Sequence, residues 1–283
     1  MGENTGIQWT EHTWNPWRGC TKVSPGCKNC YMFSDQRRFG KDPNIVVKTR
    51  TWSDPLKWQQ AAAAAGRTEM CFTCSWSDWF IEAADEWRPE AWKLVRDTPN
   101  IIYQILTKRS DRIADHLPRD WGQGYPNVWL GVSVENQQCC HRIDDLEKIP
   151  ARVHFLSVEP LLSHLTLGIF ALGWLQWVIV GGESGAGARP CNVEWIRWIV
   201  GECQTAHVPV FVKQLGAVPH ADPRTAAEFM QHWDARGLRR HVTPVPDSKH
   251  GVGTLILQDK KGGDADEWPP FLNVRQFPAG VEV

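Results

Sequence analysis

Six apolar runs of strand length recur along this chain, at 69–74, 100–106, 128–132, 153–158, 175–180 and 208–212, and each closes on polar residues. The first runs into Ser75, with Asp78 just beyond, and the second into Thr107-Lys108-Arg109. The third ends at Ser133-Val134-Glu135-Asn136 and the fourth at Glu159-Pro160. The last two end at Gly181-Gly182-Glu183 and at Lys213-Gln214. Helix-patterned segments such as 89–96 and 193–203 lie between them. A strand covered on both faces loses the polar alternation of a half-exposed one, so buried runs alternating with helices predict parallel β/α units. The expected fold class is α/β, a partial TIM-type β/α barrel of six to seven parallel strands. In such barrels the site is assembled at the C-terminal strand ends, where the polar residues repeatedly fall here.

The 283 residues suffice for one such barrel. The expected organisation is a barrel over 1–216, with a cysteine loop near its start, and a C-terminal extension over 217–283 packed on it. That tail has too little apolar content for a core of its own. Ahead of the first run, a short strand is expected at 7–9, a helix at 31–39 with Arg37-Arg38 on its outer side, and a second helix at 55–65 ending at Gly66.

Cys20, Cys27 and Cys30 sit on a Gly- and Pro-containing loop flanked by Trp14, Trp17 and Tyr31. Six residues separate the first two cysteines and two separate the second pair. A Cys-x-x-Cys turn aims two thiolates at one centre, and the arm before it can bring a third. Three thiolates without a local fourth ligand suit a metal or iron–sulfur centre with one open coordination position. The same spacing suits zinc completed by a distant Cys or His such as His12, half of a disulfide set, or small buried side chains.

The formal net charge of −1 advertises no globally basic surface, and Lys108-Arg109 and Arg239-Arg240 read as solvated faces or local phosphate contacts. Nine cysteines is an odd number, and Met1 to Trp9 shows neither a basic nor an apolar signal region. No run approaches the roughly 18 apolar residues of a membrane span. A cytoplasmic, reducing setting without a membrane partner is therefore expected, where clustered cysteines bind metal or do redox work. Trp9, Trp14 and Trp17 are expected to shield the cysteine loop from water.

An open iron–sulfur position at a barrel mouth suits S-adenosylmethionine (SAM), which chelates iron through its amino and carboxylate groups. Lys108 offers a cation for the carboxylate, while Ser133, Glu135 and Asn136 offer ribose partners. Gly181 and Gly182 permit close backbone approach, and Glu183 offers an acceptor for the ammonium. Each also has a structural reading, as a helix start, a cap or a tight turn. Glu159 either acts on substrate or pairs with Lys213 or Lys108.

Trp9-Thr10, Trp14-Asn15-Pro16-Trp17, the cysteine loop, 106–109 (Leu-Thr-Lys-Arg), 131–136 (Gly-Val-Ser-Val-Glu-Asn), 156–161 (Leu-Ser-Val-Glu-Pro-Leu), 180–185 (Val-Gly-Gly-Glu-Ser-Gly) and 212–216 (Val-Lys-Gln-Leu-Gly) resemble the phage and bacterial three-cysteine-motif family, a domain of unknown function. The tail motifs Lys261-Gly262-Gly263-Asp264 and Glu267-Trp268-Pro269 fit it as well. That family in turn resembles radical SAM enzymes of the spore photoproduct lyase branch. The resemblance implies a [4Fe–4S] cluster on Cys20, Cys27 and Cys30, with SAM bound by Lys108 and Ser133 and cleaved to a 5′-deoxyadenosyl radical that abstracts a substrate hydrogen. It also implies a flavodoxin- or ferredoxin-like electron donor and a nucleic-acid base or nucleotide as substrate. Two departures stand out: the usual loop has three residues between its first two cysteines, and the usual Gly-Gly-Glu lies on the second strand. Cys74, Asp78, Glu159 and Lys213 are the candidates to face the substrate. The rival readings are a non-catalytic zinc or iron–sulfur nucleic-acid-binding protein and a metal-dependent hydrolase using Asp78, Glu159 and Glu183. The oligomeric state is not legible.

Overall fold

The computed structural model describes residues 5–168, 173–246, 248 and 251–279. Residues 247, 249 and 250 of the Pro- and Gly-rich stretch 243–253 lie outside the described residues. In chain order the elements are β1 (His12–Trp14), β2 (Trp17–Arg18), α1 (Tyr31–Arg38), β3 (Val47–Lys48), α2 (Asp54–Ala64), β4 (Glu69–Thr73), α3 (Arg88–Arg96), β5 (Ile101–Thr107), β6 (Val128–Ser133) and α4 (His141–Glu147). They continue with β7 (Val153–Val158), β8 (Trp177–Gly181), β9 (Cys191–Asn192), α5 (Val193–Thr205), β10 (Val210–Gln214), β11 (Pro219–Ala221), α6 (Pro223–Ala235), β12 (His241–Pro244) and β13 (Gly253–Ile256). One seven-stranded sheet runs in the order β1-β4-β5-β6-β7-β8-β10, with parallel pairing. The fold is α/β, a partial TIM-type barrel of seven parallel strands, as the alternation predicts. All six apolar runs are strands of this sheet. No helix among the described residues is long and apolar enough to cross a membrane.

The chain clusters into two compact units, the first over 1–133 and 141–155, the second over 134–140 and 156–283. In the first, α3 carries Pro89 in its first turn, where the missing N–H costs nothing, and buries Ala91, Trp92, Leu94 and Val95. Its Lys93 and Arg96 lie in the last turn, where the helix dipole favours cations. The core is a run of indoles: Trp79 lies 5.7 Å from Trp14, 5.3 Å from Trp17 and 5.0 Å from Trp92, ring centre to ring centre. Offset and edge-on ring contacts of this kind add to area burial. Gly131 of β6 lies against the Phe155 ring, which a Cβ there would meet at 2.6 Å.

The first strand differs from expectation. Residues 7–9 form no strand; the chain turns with Thr10 N–H donating to the Ile7 carbonyl, and pairing with β4 begins only at His12. Trp9 packs edge-on against Phe72, 4.9 Å away.

In the second unit β8 and β10 pair from Val178 and Val210 onward, with a bulge between Val212 and Gln214. Asn192 caps α5 by accepting from Glu194 N–H, and Asp222 caps α6 by accepting from Thr225 N–H. A four-stranded sheet of order β12-β13-β11-β9 occupies much of the tail, strands too short and too Pro- and Gly-rich for periodicity to reveal. Buried Glu267 ties the tail together, accepting from Gln258 N–H at 2.7 Å, Asp259 N–H at 3.0 Å and Arg240 at 2.5 Å. Arg240, read from sequence as a solvated or phosphate-contacting residue, is thus a partner for this carboxylate.

Replacing Trp79 by Ala removes the central indole and is expected to lower unfolding free energy by about 3–5 kcal/mol, read as a lower urea midpoint. Glu69 gives a pH signature. Burial disfavours its charged form, but hydrogen bonds from His12 and Arg67 outweigh this and hold its pKa below the ordinary carboxylate value. Its stabilising contribution is therefore fully present above the unfolded-state value and lost as pH falls through the lowered one. Glu69→Gln should flatten the acid limb of stability against pH in a series of chemical unfolding curves.

Candidate metal centre

The cysteine loop is held by backbone contacts that its Gly and Ser residues make possible. Gly19 has φ +96°, and a Cβ there would lie 2.3 Å from the Ile45 carbonyl oxygen. Its N–H donates to Trp76 O at 3.0 Å, and its carbonyl accepts from the Ser77 hydroxyl at 2.6 Å. Cys20 N–H donates to Pro43 O at 2.8 Å. A single 3-10 turn over Pro25–Cys27 then swings the chain, and Cys30 becomes the N-cap of α1. All nine cysteines are free, which removes the disulfide reading.

The three thiols share one electrostatic environment. Burial and then the Asp78 carboxylate push the Cys20 thiol up to about 12, opposed by the Arg109 guanidinium. Burial also raises Cys30, opposed by the Met32 and Phe33 N–H groups at the start of α1 and by the charge of Lys108. Cys27 adds a like-charge contribution to both, so it lies within the field of each. Cys27 is 9 % exposed, and its Sγ lies 3.7 Å from the Ser24 hydroxyl.

Beneath Cys20 the ends of β4 and β5 supply a buried ion pair. Arg109 is 4 % exposed and Asp78 6 %. Arg109 Nη1 lies 3.3 Å from Asp78 Oδ2 and donates toward Cys20 Sγ at 3.8 Å, while Nη2 donates to Thr21 Oγ1 at 2.7 Å and Thr21 O at 3.1 Å. Asp78 further accepts from Thr107 Oγ1 at 2.7 Å, Lys108 N–H at 3.0 Å and Phe80 N–H at 2.9 Å. Arg109 is therefore neither a solvated residue nor a surface phosphate contact. Sequence reasoning missed it, because nothing local distinguishes the buried arginine from its half-buried neighbour Lys108. Cys74 lies in the same field, buried, at φ +53°, and pushed well above the usual thiol range by burial and by the charges of Asp78 and Cys20.

The first unit thus gathers Cys20, Cys27, Cys30, Cys74, Asp78 and Lys108. Ser133 ends β6 at 1 % exposure, with its carbonyl accepting from Arg142 at 2.8 Å. The second unit holds the other candidates, several of them engaged. Glu183 accepts from Arg189 Nη2 at 2.6 Å, from its Nε at 2.9 Å and from its N–H at 2.9 Å. Glu159 pairs with Lys213 at 3.3 Å. Gly181 and Gly182 are required by packing, since their Cβ atoms would lie 2.8 Å from Glu159 Oε1 and 2.3 Å from Leu215 O. Glu135 is fully buried, and Asn136 caps a 3-10 turn with its Oδ1 buried and without a partner.

The donor chemistry fits an iron–sulfur centre: three free thiols, close enough to interact, beside two buried or half-buried cations. Among the described residues no group of three His, Cys, Asp or Glu side chains is arranged around a single ion. Thiolates of a cubane bind different irons and stand farther apart than ligands of one ion, so this geometry bears on mononuclear zinc first. His12 does not complete a zinc set, because its Nε2 bonds Glu69 Oε2 at 2.7 Å and its ring stacks on Trp58 at 4.4 Å. Asp78, Glu159 and Glu183 are each engaged by a cation, which leaves the hydrolase reading without a ligand set.

The family model described as "Protein of unknown function (DUF5131)" matches residues 4–250. None of the curated proteins matches the chain. Among solved structures, the chain is similar to spore photoproduct lyase complexed with dinucleoside spore photoproduct, at 12% identity over 92% of this chain and 72% of that one, with a TM-score of 0.46. It is similar also to a mutant of that enzyme with bound AdoMet and the dinucleoside photoproduct, at 13% identity over the same shares, with a TM-score of 0.47.

Removing Arg109 leaves the Asp78 carboxylate buried without its cation. Arg109→Met is expected to destabilise the iron-free chain by roughly 3–5 kcal/mol. Arg109→Lys keeps the charge but not the fork that reaches both Cys20 and Thr21, and should fall between the two in urea unfolding.

Proposed function

The chain belongs to the family described as "Protein of unknown function (DUF5131)", and we propose that this member is a radical SAM enzyme. The observation that carries the reading is the set of free thiols Cys20, Cys27 and Cys30, with Cys27 in the field of the other two and Lys108 acting on Cys30. Cys20, Cys27 and Cys30 would hold a [4Fe–4S] cluster with a coordination position left open for SAM. When bound, this pair supplies reductive cleavage of SAM to a 5′-deoxyadenosyl radical, the hydrogen-abstracting species.

The chain's own residues position and shield. Lys108 follows β5, its charge acts on Cys30, and it is the proposed partner of the SAM carboxylate. Ser133, at the end of the neighbouring β6, is the proposed hydroxyl partner. Arg109 fixes Cys20 and Thr21 to the strand ends, which steadies an arm made long by six intervening residues. Trp17, fully buried with its indole N–H on Asp78 O at 3.0 Å, closes the loop from beneath and keeps water from the thiols. Cys74 is the proposed substrate-side group in the first unit; Asp78, held by Arg109, Thr107 Oγ1 and the N–H groups of Lys108 and Phe80, is a positioning residue. The proposed substrate is a nucleic-acid base or nucleotide, which follows from the resemblance in the strand-end motifs.

Anaerobic reconstitution of the full chain tests this reading. The expected result is about four irons per chain, lost in Cys27→Ala, with dithionite-dependent release of 5′-deoxyadenosine. Lys108→Met should raise the KM for SAM about tenfold while leaving the iron content unchanged. Stoichiometric zinc with no SAM binding would overturn it.

A further inference from the structure

Residues 18–50, which include the three cysteines and α1, contain eight Lys and Arg against two Asp, a net +6 in a chain of formal net charge −1. All of these cations except Arg18 are exposed. Lys48 is held by Glu90 at 2.7 Å, and Lys22 lies back on the Lys28 carbonyl. Lys28, Arg37, Arg38 and Lys41 make no ion pair among the described residues. Of the two acids, Asp35 is half-buried, and Asp42 accepts from Asn44 N–H at 2.9 Å.

The same arm carries apolar surface. Phe39 at 60 %, Ile45 at 58 % and Tyr31 at 53 % are the most exposed large hydrophobic side chains among the described residues, and Val23 joins them at 47 %. Part of this surface serves the first unit itself, since Lys48 lies over the Trp52 ring at 3.7 Å, Lys22 over the Phe33 ring at 4.9 Å, and the Tyr31 hydroxyl donates to Ser75 O at 2.7 Å; the rest, around Arg37, Arg38, Phe39, Lys41 and Ile45, faces solvent. Cations around apolar side chains are the pattern of a small, charge-steered and transient protein interface.

Position decides the partner. Lys22 and Lys28 lie between the cysteines in sequence, and α1 starts directly after Cys30. A body seated here therefore rests on the loop that holds the ligands. A nucleic acid would use the cations and the rings of Tyr31 and Phe39, but it presents nothing to the aliphatic Val23 and Ile45. An acidic protein with an apolar patch meets all three kinds of side chain.

We infer that the arm over 18–50 is the docking surface for an acidic one-electron carrier protein that reduces the cysteine-held centre. This rests on the cluster reading above. The reduced carrier loses one electron, the cluster gains it, and no bond forms between the two proteins.

The experiment uses the reconstituted full chain, with a reduced acidic flavodoxin as probe and stopped-flow absorbance as readout. The Arg37→Glu, Arg38→Glu, Lys41→Glu triple variant should be reduced at least about tenfold more slowly than the parent at low salt. The gap should narrow as salt shortens the screening length toward about 8 Å at physiological ionic strength. Iron content and reduction by dithionite should be unchanged, which separates docking from folding. Phe39→Ser should slow reduction at all salt concentrations. Equal flavodoxin rates and salt slopes in parent and triple variant overturn the inference. So does a triple variant that loses only affinity for a single-stranded oligonucleotide. A parent chain that takes up no iron overturns the cluster reading itself, and the absorbance spectrum identifies that case before any carrier is added.

Discussion

A buried guanidinium facing a buried carboxylate, Arg109 on Asp78, organises the cysteine end of the first unit. Both groups lose most of their hydration, so each needs the other and needs its remaining hydrogen-bonding positions filled. Thr107 Oγ1 and the N–H groups of Lys108 and Phe80 fill those of Asp78; Thr21 accepts from Arg109 Nη2, while Arg109 Nε is buried without a hydrogen bond, 3.6 Å from Glu82 Oε2. The pair thereby joins three pieces of chain remote in sequence: the cysteine arm, the loop after β4 and the end of β5.

That junction also sets the chemistry of the thiols. Asp78 opposes ionisation of Cys20 while Arg109 favours it, and burial outweighs both. A buried thiol in such surroundings is inert until a cation is placed against it. Lys108 acts on Cys30 from the adjoining residue, so neighbouring cations serve different ends of the loop. The indole run through Trp14, Trp17, Trp79 and Trp92 keeps the ground beneath this centre dry, and the single polar contact from Trp17 ends on Asp78 as well.

Much of the architecture was legible because buried parallel strands advertise themselves by uninterrupted apolar runs. The run at 153–158 coincides with β7, and 69–74 overlaps β4 to within its last residue. The expected strand at 7–9 failed for the converse reason: Trp9 is apolar, but its ring is buried by packing on Phe72 and its backbone turns. The small sheet of β9, β11, β12 and β13 stayed hidden because two- to four-residue strands have no period to read. Lys108 and Arg109 show the limit for side chains, since adjacent cations of similar type were separated by the fold into a half-buried and a buried role. Glu183 shows it too: the motif promised an acceptor for a ligand, while Arg189, six residues on, occupies the carboxylate.

The sequence by itself determined the parallel α/β sheet, the grouping of three cysteines on one loop and the polar character of the strand ends. These depend on local hydrophobicity and spacing, which one chain displays without reference to anything distant. Only the tertiary structure decided that Arg109 turns inward onto Asp78 and Cys20, that His12 belongs to Glu69, and that Phe39 and Ile45 stay on the surface. Those outcomes depend on which charges are desolvated together, and desolvation is a property of the packed molecule rather than of any residue's neighbours in the chain.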